Sequence, residues 1–194
     1  MSLVSENEFT ELVTSYGEPL RWLHTLDVSH NQTRVPFRDR SAEIVLAIPR
    51  PNRRVLLHIK DFYPPTAYRL LTGGVEDGEP IIDAARREIR EETSLPIDLA
   101  RWLGIVEYEF IERAGRTKFT SYIFLTEPST GTPHTLDASE QISEFREVAW
   151  SELANVAEAL DHLPGDWGDW GRFRAIPHRL VLEAISDFKF QISE

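Results

Sequence analysis

Two adjacent glycines, Gly73 and Gly74, precede a third at Gly78, and Pro80 then opens a series in which Ile81, Ile82, Ala85 and Ile89 recur at helical spacing. Glycine lets backbone carbonyls and amides approach a neighbouring group closely, and proline suits the first helical turn. Residues 73–95 are therefore predicted to leave a strand, turn tightly and enter an amphipathic helix. Seven acids (Glu76, Asp77, Glu79, Asp83, Glu88, Glu91, Glu92) face only three arginines (Arg86, Arg87, Arg90) in this stretch. Glu88, Glu91 and Glu92 stand at i, i+3 and i+4, so a helix brings them to one patch. Like charges so placed cost roughly 0.2–0.5 kcal/mol per pair. A hard divalent cation relieves that repulsion, since Mg²⁺ and Mn²⁺ take oxygen ligands. The triplet alone more commonly describes a solvated helix face with Asp83–Arg87 and Arg87–Glu91 ion pairs.

Around this stretch the patterns are shorter. Ser5 with Glu8 three residues on forms a capping box ahead of Phe9, Leu12, Val13 and Tyr16, and Gly17 ends that helix. Residues 20–28 alternate as a strand. The β-branched runs 43–48 and 55–59 read as a hairpin across Pro49-Arg50-Pro51-Asn52-Arg53, and 103–111 with 117–125 as a second one. A further strand is predicted over 145–150, and a short helix over 151–160 capped by Ser151. A last helix is predicted to begin at Pro177 and to bury Leu180, Val181, Ala184, Ile185 and Phe188. Strands joined mostly by hairpins imply an α+β sandwich with a mixed sheet.

The chain has 194 residues, which favours a single domain over residues 1–194, with an N-terminal extension over 1–40, a core over 41–160 and a C-terminal helical extension over 161–194. Its net charge of -11 disfavours sequence-independent nucleic-acid binding. It contains no cysteine, which excludes thiolate zinc sites, disulfides and thiol catalysis. Neither a membrane span nor a leader peptide is evident, and a cytoplasmic location is expected.

The glycine loop and the glutamate helix stand at a fixed spacing, with Glu79 between them and Arg87-Glu88-Ile89-Arg90-Glu91-Glu92 behind. In this the chain resembles a Nudix hydrolase, and the order of flanking strands is similar over about residues 40–155. The resemblance implies a Nudix-type α/β/α sandwich with a mixed β-sheet, plus an N-terminal helix and strand and a C-terminal helix. It implies hydrolysis of a diphosphate linkage in a nucleoside diphosphate derivative, a small-molecule substrate, by water attacking phosphorus. Mg²⁺ or Mn²⁺, more than one ion per site, would be held by Glu88, Glu91, Glu92 and the carbonyl of Gly73. Glu79 would pair with Arg87 to brace the loop. A carboxylate must take the proton of the water. Glu91 and Glu88 are candidates on the helix, and Glu140, with Glu144 nearby, is one downstream. Two positions depart from the family pattern: Ser94 replaces a glycine, and Thr72 stands where many relatives have proline. If residue 94 is left-handed, a non-glycine costs about 1 kcal/mol there, so Ser94→Gly is expected to raise the melting temperature.

Substrate contacts are expected from Arg34, Arg38 and Arg40, with Arg50, Arg53 and Arg54 left exposed on a hairpin tip. Trp167, Trp170 and Phe173 alternate with Arg172, Arg174, His178 and Arg179, a pattern that suits base stacking and phosphate contact, Trp170 foremost, or a plug at the core edge. His178 alone reads as a helix-start residue. Phe62, Tyr63 and Tyr68 precede the glycine loop as a lid or stacking wall, Tyr68 being the candidate contact. The alternative function is a catalytically inactive Nudix domain that binds a nucleotide metabolite as a regulator. The family's isomerase branch relies on a cysteine this chain lacks. A homodimer through the N-terminal helix and strand stays open.

Overall fold

The computed structural model describes residues 4–29, 40–136 and 138–187. The first helix, α1 (Glu6–Tyr16), is capped by Ser5, whose hydroxyl accepts the Glu8 amide, and it ends at Gly17 with φ 85°. Strand β1 (Leu20–Asp27) follows, its inward and outward residues alternating. Next come β2 (Ala42–Ala47), β3 (Pro49–Arg50), β4 (Arg54–Lys60) and β5 (Leu71–Gly74). The glycine loop then feeds α2 (Ile81–Thr93), with Pro80 at its N-cap. Strands β6 (Leu99–Glu112) and β7 (Gly115–Thr126) make the long hairpin, and β8 (Ile142–Ala149) precedes α3 (Leu153–Asp161) and α4 (Gly168–Asp187).

Five strands form a mixed sheet in the order β1-β6-β7-β2-β5: β1 with β6 and β7 with β2 are parallel, the other neighbours antiparallel. Period-two alternation gives each strand two apolar faces. Ile44, Leu46, Tyr122 and Phe124 pack beneath Leu12 of α1 and Ile81, Ala85 and Ile89 of α2. Val45, Ala47, Ile123 and Leu125 face the other way, against Phe173, Ile176 and Leu180 of α4. The result is the helix-covered mixed sheet of an α/β/α sandwich. Among the described residues, no helix is long and apolar enough to cross a membrane.

A second, antiparallel sheet has the order β3-β4-β8. The chain passes between the two sheets at Ile48, whose carbonyl still accepts the Leu56 amide at 3.0 Å, and again at Arg69, which bridges His58 before β5 joins the larger sheet. The hairpin expected over 43–59 is therefore divided. Its first arm belongs to the five-stranded sheet, where all six residues of β2 are buried between neighbours, and only the short β3 turns back along β4.

Two further expectations change at the C-terminal side. Ser151 does not cap α3, because a 3₁₀ turn over Trp150–Glu152 precedes it and the Glu152 carboxylate accepts the Ala149 amide at 2.7 Å. Pro177 does not begin α4 but lies inside it, nine residues after Gly168. Burial of Trp170 and Phe173 extends the helix backward past the proline, outweighing the local stop signal. His178 is accordingly an interior residue: its Nδ1 meets the Arg174 carbonyl at 2.9 Å and its Nε2 accepts the Leu70 amide at 3.0 Å. Phe188 lies outside the described residues.

Candidate functional site

Strand β5 ends in Gly73 and Gly74, which pair with Ile44 and Glu43 of β2. A Cβ on Gly73 would stand 1.6 Å from the Glu88 Cδ, so the carboxyl group of α2 occupies the space a side chain would fill. Gly78, with φ 78°, supplies the left-handed turn back toward the helix. The loop is tied down by Arg87. Its Nε and NH2 donate to the two oxygens of Glu79 at 2.8 Å each, NH2 also reaches the Gly74 carbonyl at 2.8 Å, and Glu79 accepts the Glu76 amide. This fork holds the Glu79 carboxyl below its ordinary value, though partial burial opposes it.

The three glutamates of α2 sit in three environments. Glu88 is buried and accepts Arg87 NH1 at 2.6 Å; burial raises its pKa, with Arg87 opposing. Glu91 remains a third exposed and meets the same NH1 at 3.3 Å. Glu92 is fully buried, and neither carboxylate oxygen has a hydrogen-bond partner. Burial pushes it up to about 8, while Lys60 and Arg69 pull it down and Glu88 and Glu140 push it further up. Among the described residues no three acidic or histidine groups are drawn together into one ligand set. The shared patch expected from helical spacing is thus split, because Arg87 stands between Glu88 and Glu91 while Glu92 turns inward. The donors still suit a hard cation. The two orphaned oxygens of Glu92, the Glu88 carboxyl seated at Gly73 and the partly exposed Glu91 are all oxygen ligands of the kind such an ion takes, although Arg87 already pairs with Glu88 and Glu91.

In front of this corner lies a cavity of about 660 Å³ lined by Gly73, Glu88 and Glu140 among others. Glu140 sits at the end of a 3₁₀ turn and is held by Lys60, whose Nζ donates to Oε2 at 2.7 Å. Arg40 and Trp170 also line the cavity, and the Arg40 guanidinium lies against Gly74. Glu91 and Glu92 do not line the cavity. Arg34 and Arg38 lie outside the described residues. Tyr68 is placed elsewhere: it is buried in the core with the Arg146 guanidinium 3.7 Å above its ring, outside the cavity lining. Tyr63 lines the cavity instead, five residues earlier on the same loop. Glu144 lies on β8, exposed, away from the cavity. Arg50 is not at an exposed tip, for it is buried and reaches Glu147 at 2.7 Å and the Gly131 carbonyl at 2.6 Å, while Arg53 and Arg54 are exposed. Arg69 was given no role by sequence reasoning. Its only signal is a charge inside the apolar run Ala67-Tyr68-Arg69-Leu70-Leu71.

A glycine-cornered acidic helix on a mixed sheet, opening on a polar cavity, defines the class as an α/β/α sandwich with an acidic pocket beside the glycine loop. A family model described as NUDIX domain matches residues 38–170, and the chain belongs to the Nudix family. The fold is similar to that of the MutT protein from Methanosarcina mazei Go1, with a TM-score of 0.54 at 19% identity over 76% of this chain and 96% of that one. It is similar as well to the NUDIX domain of Shewanella oneidensis NrtR in a cocrystal with ADP ribose, with a TM-score of 0.50 at 14% identity over 81% and 94% of the two chains.

Proposed function

We propose that this chain, a Nudix pyrophosphohydrolase by family, hydrolyses a diphosphate linkage in a nucleoside diphosphate derivative, with water attacking phosphorus, and that it works in the cytoplasm. The observation that carries this reading is Glu92, buried with both oxygens unpartnered beside the Glu88–Gly73 corner. Such a group is costly to bury, and a bound cation would supply the partner that its two oxygens lack. Glu88, Glu91, Glu92 and the Gly73 carbonyl would hold Mg²⁺ or Mn²⁺. When bound, such an ion acidifies a water and neutralises diphosphate oxygens.

The remaining work falls to the chain itself. Arg87 and Glu79 fix the loop, Arg87 holding the Gly74 carbonyl next to Gly73. Glu140, a carboxylate in the cavity lining with Oε2 held by Lys60, would take a proton from water, and Glu91 is the second candidate. Trp170 and Arg40 border the space where a nucleotide would lie. An inactive regulatory domain gains no support from this site, since all three glutamates are present.

A panel of nucleoside diphosphate derivatives assayed for release of the nucleoside monophosphate is expected to show turnover that needs Mg²⁺ or Mn²⁺. Glu91→Gln and Glu92→Gln should lower it by about 100-fold or more. Turnover in excess chelator, or full activity in both variants, would overturn the assignment.

A further inference from the structure

Most cations around the cavity are matched by an acid of the chain. Lys60 has Glu140, Arg87 has Glu79, and Arg174 donates NH1 to both oxygens of Glu43 at 2.8 and 2.7 Å. Arg69 differs. It is 2% exposed, lines the same cavity and makes only neutral contacts: NH1 donates to the Thr72 hydroxyl at 2.6 Å and the Leu70 carbonyl at 3.1 Å, and NH2 to the Tyr63 hydroxyl at 3.0 Å. Its Nε has no partner. Among the described residues no carboxylate lies within ion-pairing distance of it. The acid whose charge it feels is Glu92, which it pulls down without a hydrogen bond to either oxygen, and a buried guanidinium with no bonded counter-charge is costly.

Arg174 reaches the cavity from α4, four residues beyond the segment the family model covers. Glu43 beneath it is fully buried and also accepts the Ser121 hydroxyl at 2.8 Å, so the pair is fixed from both strands and helix. The Arg174 Nε is unpartnered as well. Arg69 and Arg174 together carry two positive charges against the single carboxylate of Glu43. The excess is felt at Tyr63: burial would raise its hydroxyl, yet the charges of Arg69 and Arg174 bring it below the ordinary phenol value. His58 and His178 nearby do not add to the charge, because burial and these arginines hold both neutral.

Beside the two guanidinium groups stands an aromatic cluster. Tyr63 lies 4.7 Å from Trp170 and 5.7 Å from Trp167 between ring centroids, and the two indoles are 5.2 Å apart. All three line the cavity, and Trp167 and Tyr63 keep partial exposure. Aromatic faces next to forked cations match a ligand with an aromatic head and a tetrahedral anion.

We infer that Arg69 and Arg174, with the Tyr63 hydroxyl, form a seat for a phosphoryl group of a nucleotide whose base lies against Trp167 and Trp170. This rests on the hydrolase reading for its choice of ligand but uses none of the carboxylates of α2. The seat therefore binds a nucleoside monophosphate when no metal is present. It also gives α4 a share in substrate selection, and it favours substrates with an unmodified phosphoryl group close to an aromatic base.

The test is calorimetric titration of the full chain with AMP and with adenosine in excess chelator. AMP is expected to bind roughly tenfold or more tighter than adenosine, the difference one charge-assisted contact supplies. Arg69→Met should bring AMP down to the adenosine level and leave adenosine unchanged, with Arg69→Lys in between. Should Arg69→Met fail to fold, the pair Glu43→Met with Arg174→Met, which removes the buried ion pair and one of the two seat guanidiniums, is expected to weaken AMP several-fold and leave adenosine unchanged. Equal affinity for AMP and adenosine in the wild-type chain, no AMP binding in chelator, or unchanged AMP affinity in the folded variants would overturn the seat. Metal-dependent turnover with an unchanged KM in Arg69→Met would sink the seat while leaving hydrolysis standing. AMP binding without turnover on the substrate panel would do the reverse.

Discussion

Ser94 shows how one side chain can offset the strain of its own backbone. It adopts φ 56° and ψ 14° after α2, donating its amide to the Arg90 carbonyl. A left-handed serine costs about 1 kcal/mol relative to glycine. Its hydroxyl, however, donates to the His134 carbonyl at 2.9 Å, a contact worth roughly 0.5–1.5 kcal/mol that ties the helix end to the chain forty residues on. The two effects nearly cancel, so the gain expected for Ser94→Gly from sequence disappears. Thermal melts should place Ser94→Gly within experimental error of wild type and Ser94→Ala lower by about 1 kcal/mol, since alanine keeps the strain and loses the bond. A clearly higher melting temperature for the glycine variant would mean that the hydroxyl contributes nothing. The turn at residue 94 was legible because helix ends favour one conformation there. The compensating carbonyl was not, because His134 is near only in space.

The seating of α4 against α3 depends on Gly171. A Cβ there would come within 2.0 Å of the Leu160 carbonyl oxygen, a backbone atom that cannot rotate away. Gly171→Ala must therefore push the two helices apart, and overpacking of this kind costs about 1–3 kcal/mol. Because α4 carries Trp170 and Arg174 into the cavity, the same variant should weaken nucleotide binding as well as lower the melting temperature. Chemical denaturation with AMP titration in chelator checks both, and a fully stable Gly171→Ala would show that α3 yields without cost. Local signals revealed α1 and α2: Ser5 with Glu8, and Pro80 ahead of an apolar stripe, fix those helices within a few residues. The start of α4 was hidden for the opposite reason. Gly168, Gly171 and Pro177 all speak against a helix, and only burial of Phe173 and Leu180 against the sheet and of Trp170 against α3 makes one. The site divides along the same line. Glu79, Arg87, Glu88, Glu91 and Glu92 lie within one loop and helix and could be read by spacing. Arg174 acquires its partner 131 residues away at Glu43, beyond the reach of any periodicity.

The C-terminal helix is tied to the body of the fold through a buried histidine as well as through apolar packing, and this makes stability depend on acidity. His178 joins α4 to the chain entering β5, with Nε2 accepting from Leu70 and Nδ1–H donating to Arg174. Burial, with Arg69, Arg174 and Arg179 nearby, lowers its pKa to about 3, although the bond to the Arg174 carbonyl opposes the shift. His58 is lowered well below its usual value by burial and by Arg69, Lys60 and Arg174. An unfolded histidine takes up a proton near pH 6.5, whereas the folded His178 stays neutral, so the unfolded state binds more protons between these values. Its contribution is complete above about pH 6.5 and is lost as the pH falls from there toward 3, amounting to about 2 kcal/mol by pH 5. Glu88 and Glu92, raised by burial, act in the opposite sense over part of this range, so the wild-type curve alone mixes the effects. A difference removes them. His178→Gln can still accept the Leu70 amide but does not titrate, and it should be the less stable protein at pH 7 by roughly 1–2 kcal/mol for the lost bond and packing. Between pH 7 and pH 5 the gap should close by about 2 kcal/mol, because only the wild type suffers proton uptake on unfolding. Parallel urea titrations of the two proteins in chelator measure it directly, and a gap that stays constant with pH would show that His178 is not held neutral in the fold.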